Sequence, residues 1–120
     1  NPVVVAVFTA ILNQPLPVIT LGSELEHMLI TMARQSGEEG LVIDNTLAQQ
    51  LLRKISDTND SLAAKGRQPV VVVSPAIRKE FSKIIRQHID DIVVLAFTEL
   101  PETRKIEVVA TITGEPESDN

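Results

Sequence analysis

Ser74 occupies a position where α/β chains often do chemistry. It follows four consecutive valines, Val70 to Val73, and precedes Pro75 and a helical pattern. It therefore stands at the start of a helix fed by a buried strand, where free backbone amides and the helix dipole favour an anion. With Asp90 or Asp91 as a carboxylate partner, such a site would suit a small α/β phosphate-binding enzyme or a phosphoacceptor domain. The neighbouring residues favour a simpler role. No glycine lets a phosphate approach the backbone, Pro75 removes one amide, and no Gly-x-Ser-x-Gly turn surrounds the serine as a nucleophile would require. Ser74 is expected to cap its own helix, with Pro75 in the first turn, where a missing N–H costs nothing. Asp90 and Asp91 precede a strand, whereas ligands of parallel sheets gather beyond the strands' carboxyl ends, so the pair reads as a loop.

The remaining chemistry-bearing residues point to surfaces rather than to catalysis. His27 has Thr31 four residues on, and His88 lies far from it near a helix end, so neither has the spacing of a metal pair. The absence of cysteine excludes disulfides and thiolate metal sites. No catalytic residue, cofactor or metal is expected. Arg78, Lys79, Lys83 and Arg86 gather on the solvent side of the helix after Ser74, against Glu80 alone. In a chain of net charge −5, with 11 basic and 16 acidic side chains, that patch is a candidate contact for an acidic partner or a neighbouring subunit. Thr98, Glu99, Leu100 and Glu102 form a second candidate, because they leave the carboxyl end of a parallel strand, where α/β folds place functional loops.

These residues need a frame to hold them. Val70–Val73 and the apolar run from Ile92 to Phe97 read as two buried strands, and Ile77, Phe81, Ile84, Ile85 and His88 recur between them at helical steps, which makes a parallel βαβ unit. Upstream, Val18 to Leu21 reads as a strand. Ser23-x-x-Glu26 has the form of a capping box before a helix with Leu25, Met28, Leu29, Met32 and Ala33 on one face, stopping near Gly37. Leu41 to Ile43 is expected to be a short strand. Asp44 or Asn45 then caps a helix with the stripe Leu47, Leu51, Leu52, Ile55 and Leu62; it is expected to fray over residues 56–61 and to end at Gly66. In the last strand, Ile106, Val108, Ala110 and Ile112 alternate with Glu107, Val109, Thr111 and Thr113, which predicts one buried and one wetter face.

At 120 residues and 43% hydrophobic content the chain can bury one core. The expected class is α/β (α+β): a small mixed β-sheet with a parallel βαβ unit, packed by about three helices. Residues 16–113 form this subdomain. Residues 1–15 are an apolar segment that suits a strand or a helix equally and can be the end of a preceding subdomain. Residues 114–120 are an acidic tail polar enough to be disordered. Three Phe and no Trp or Tyr leave few stacking surfaces, and the negative charge repels phosphate backbones, so nucleic acid is not an expected partner. The run from Pro2 to Leu12 is too short to span a bilayer and lacks the basic start of a signal peptide, so a soluble piece, cut from something larger or not, is expected.

Three local signatures resemble the C-terminal end of the FHIPEP family, the export-gate proteins of flagellar and virulence type III secretion systems. Leu16-Pro17-Val18-Ile19-Thr20-Leu21 followed by Leu25-Glu26 is similar to the family's strand-to-helix junction. Pro69 through Arg78 is similar to its PVLLVSPxLR motif, and Val94 through Leu100, with the strand from Lys105 to Ile112, resembles its closing segment. The likeness covers roughly residues 16–114. Gly22-Ser23 and Ala96 depart from the family pattern. The resemblance implies a bacterial inner-membrane protein whose membrane region lies outside this sequence, and a cytoplasmic subdomain serving a homo-oligomeric ring. It implies as partners other export-apparatus proteins, including ATPase-complex components, and substrate–chaperone complexes. The flagellar branch is the expected one.

Overall fold

The computed structural model describes residues 1–4, 14–39 and 41–114. Four strands, β1 (Leu16–Leu21), β2 (Val70–Val73), β3 (Val93–Ala96) and β4 (Ile106–Ile112), are joined by three helices, α1 (Ser23–Ser36), α2 (Asn45–Ala63) and α3 (Arg78–Arg86). The sheet order is β3-β2-β1-β4, and every pairing is parallel. The α/β class and the β2–α3–β3 unit are as the sequence indicates, but among the described residues the sheet has only parallel pairings where a mixed sheet was expected. Residues 97–105 make this possible. Nine residues reach about 30 Å when extended, enough to pass three strand spacings of about 4.8 Å and re-enter beside β1 in the same direction.

All three helices lie on one face. Partner residues in a parallel ladder project together, so Ile19, Leu21, Val71, Val73, Val94 and Ile112 form the floor of the core. Leu25 and Leu29 of α1, Leu51 and Ile55 of α2, and Phe81 and Ile85 of α3 close it from above. Full burial of each such side chain contributes roughly 1.5–3 kcal/mol. Both α1 and α2 run from the carboxyl edge of the sheet to its amino edge. Glu26 near the start of α1 touches Ser74 beyond β2, and a Cβ on Gly114 beyond β4 would meet Leu47 near the start of α2. The chain from Gly37 to Asp44 must run back between them. It does so beside the helices rather than in the sheet, so the strand expected at 41–43 is absent and Leu41 alone is buried there.

Other local readings shift for physical reasons. Gly22, not Ser23, is the N-cap of α1, which puts Glu26 one residue past the capping-box position, and no side chain caps this helix. Asp44 caps α2 by accepting from the amides of Thr46 and Leu47 at 3.1 and 3.4 Å. Residues 56–61 stay helical, because Thr58 donates back to the Lys54 carbonyl and Asn59 is buried with partners of its own. The chain leaves α2 through Gly66, whose φ of 74° suits glycine. β4 carries a bulge: Val18 pairs with Val108 but Ile19 with Ala110. The faces switch there. Ile106 and Val108 therefore lie on the face opposite α1, α2 and α3, 47% and 53% exposed, while Ile112 is buried in the core and Val109 and Ala110 pack against it. The alternatives for residues 3–12 fall largely outside the described residues, as does the tail beyond 114.

Candidate functional site

The carboxyl ends of the parallel strands assemble a small polar cluster. Ser74 accepts from the Ala76 amide at 3.3 Å, and its carbonyl accepts from Ile77 at 3.1 Å. It therefore caps a turn over 75–77, while α3 itself begins at Arg78 with Ile77 as its N-cap. The Ser74 amide donates to the Glu26 carboxylate of α1 at 3.1 Å. That amide sits where a phosphate would be bound, and the chain fills the position with its own anion. Asp91 lies at the other end of the sheet, where its carboxylate accepts from Asn59 at 3.3 Å and its carbonyl from Gln68 at 2.7 Å. Since Val70 pairs with Val93, Ser74 and Asp91 are separated by about 20 Å of strand. A serine–aspartate phosphoacceptor pair is not formed.

The two surface candidates are joined. After β3 the chain makes a short 3-10 turn, Phe97–Glu99. The Glu99 carboxylate turns back to accept from the Ala96 amide at 2.9 Å and also holds Arg78, whose Nε lies 2.9 Å from Oε1 and whose Nη2 donates to Oε2 at 3.4 Å. The Arg78 Nε is shut from solvent and its N–H is not aimed at a partner, so charge rather than hydrogen-bond alignment holds this side of the pair. With both side chains about 40% exposed, the pair is worth roughly 0.2–1 kcal/mol. Arg78 is thereby a fixed part of the loop junction. Lys79, Lys83 and Arg86 remain exposed along α3, with Glu80 3.9 Å from Lys83. Thr98 and Glu102 are exposed and Leu100 is half-buried.

Two residues of this region were not legible as site residues. Glu26 looked like a local cap, and the one hint to the contrary was Gly22, which displaces the helix start. Phe97 looked like the end of a buried strand, yet it is 56% exposed beside Glu99. His88 falls in the turn after α3 and faces solvent. Among the described residues no group of three or more His, Asp or Glu stands together to hold a metal, and no helix is long and apolar enough to cross a membrane.

The fold has solved counterparts. It matches nonameric SctV-C from EPEC with a TM-score of 0.64 and 23% identity, covering 82% of this chain and 29% of that one. The C-terminal domain of InvA gives the same TM-score at 21% identity, over 88% of this chain and 33% of that one. These likenesses show that the chain has the fold seen in SctV-C and in the C-terminal domain of InvA. Residues 4–105 match the FHIPEP family model, and the chain belongs to the FHIPEP family. The flagellar biosynthesis protein FlhA of Salmonella typhimurium is 31% identical over 102 residues, which is 85% of this chain and 14% of the relative. The chain thus spans about a seventh of that protein's length.

Proposed function

We propose that this chain serves as part of the C-terminal cytoplasmic region of a type III protein-export gate, acting in ring assembly and in docking of export substrates, their chaperones and ATPase-complex components. The match of residues 4–105 to the export-gate family carries this reading. The cluster around Ser74 supports docking over catalysis, because the anion-binding amide is already engaged by Glu26. A ring is supported by the nonameric assembly named for the SctV-C counterpart. The intact protein would then reside in the bacterial inner membrane, with this region on the cytoplasmic side. The flagellar branch is favoured by the FlhA relatives.

Partner contact is assigned to Lys79, Lys83 and Arg86 on α3 and to the adjoining turn with Thr98, Leu100 and Glu102, with Arg78 and Glu99 fixing the two surfaces to each other. Such a surface binds by preformed shape and charge, and a rigid α/β body moves as a unit between gate states. The test is charge reversal at Lys79 and Lys83 in the full protein. Type III secretion is expected to fall while the melting temperature of the purified chain stays unchanged. Normal secretion by that variant removes the α3 surface from the proposal.

A further inference from the structure

β4 lies at one side of the sheet and, among the described residues, pairs only with β1. Along its outer side, Glu107, Val108 and Val109 border a groove of about 550 Å³ between the strand and the second half of α2. Asp57, Thr58, Ser61 and Lys65 line the helix side. An unpaired strand edge beside a helix is the geometry into which an extended peptide adds as a further strand, its main chain supplying affinity and its alternate side chains specificity. The opposite edge is closed to this, because β3 is four residues long and its Ala96 amide is taken by Glu99.

The two sides of the β4 edge differ in chemistry. Ile106 and Val108 are exposed on the face opposite α1, α2 and α3. On the helix face, Arg67 holds Glu107 at 2.9 Å, so among the described residues Lys65 is the cation of the groove with no carboxylate bound to it, and Asp57 lines the groove one helical turn before Ser61. We infer that the β4 edge accepts an extended segment of a partner protein as a fifth strand. Apolar side chains of that segment would lie at alternate positions against Ile106 and Val108. Hydroxyl side chains and a carboxylate between them would face Thr58, Ser61 and Lys65. This surface is at the opposite edge of the sheet from α3, so it stands or falls separately from the basic-face reading.

The experiment is a titration of the isotope-labelled chain with a blocked octapeptide alternating valine with threonine and carrying one glutamate. A peptide of the same composition with contiguous valines is the control. Amide shift changes confined to residues 57–65 and 106–112, with slowed exchange in β4, are the expected result. Ser61→Trp, at an exposed helix position, fills the groove and weakens binding at least about tenfold. Val108→Glu does the same from the strand side, which covers the case where the tryptophan variant fails to fold. Lys79→Glu leaves binding unchanged. The inference is overturned by no shift at millimolar peptide, by equal binding of the control, by shifts centred on β3, by unchanged affinity of both groove variants, or by self-association of the chain through β4.

Discussion

Replacing Glu26 by alanine tests how the carboxyl edge is built. The carboxylate is half-buried and accepts from the Ser74 amide at 3.1 Å, joining α1 to the β2–α3 turn across 48 residues. A hydrogen bond to a charged acceptor contributes about 1.5–3 kcal/mol, and its loss also leaves a partly buried N–H without a partner. Partial exposure admits water to that amide and pulls the figure toward the lower end, about 1.5–2 kcal/mol. Glu26→Gln keeps an acceptor oxygen but not the charge, so it should cost about half as much. Urea denaturation with matched slopes measures both. Phosphate should rescue neither variant beyond a chloride control of equal ionic strength, because Pro75 has no N–H and one free amide does not make a phosphate site. Alanine and wild type of equal stability, or phosphate selectively restoring Glu26→Ala, would refute the closed-site reasoning.

Asn59→Leu is expected to lose about 1–2 kcal/mol in the same denaturation experiment, since Asn59 is buried and loses hydrogen bonds to Gln68 and Asp91, both of which are exposed and turn to water. Phe81→Ala, at a side chain 1% exposed in the core, should cost about 3–5 kcal/mol and bring the chain close to unfolding, read as the loss of its cooperative transition. Lys79→Glu with Lys83→Glu should leave stability within about 0.5 kcal/mol, because both side chains face solvent. Gly37→Ala, where φ is 56°, should destabilise by about 1 kcal/mol although nothing lies near its Cβ; an unchanged urea midpoint would mean that the turn relaxes to negative φ.

Strand and helix identity was legible wherever burial and periodicity agreed. The valines of β2, the stripe of α2 and the spacing of Phe81 and Ile85 each left one sensible assignment. Direction and register were not legible in the same way. Nothing local in 106–112 says that the strand runs parallel to β1, since that depends on the reach of residues 97–105, and the bulge that turns Ile106 and Val108 outward is a property of the pairing. Leu41–Ile43 is apolar enough for a strand but has to serve as the return path between two helices that point the same way. Of the local caps, Asp44, one of the two residues offered for α2, does cap it, whereas Ser23 does not cap α1 and Ser74 caps only the turn before α3. Side chains that act across the fold were not legible. Glu26 and Ser74 meet because α1 crosses the end of β2, and Asn59 meets Asp91 because α2 ends beside the amino edge of β3.

Export itself tests the functional account most directly. In the bacterium that encodes this chain, the codons for residues 16–114 are removed in frame, and type III substrate is measured in the medium and inside the cell, with the intact gene supplied in trans as control. The account predicts that substrate stays inside and that the intact gene restores its release. Undiminished release from the deletion strain, with the shortened protein present at normal level, would contradict it.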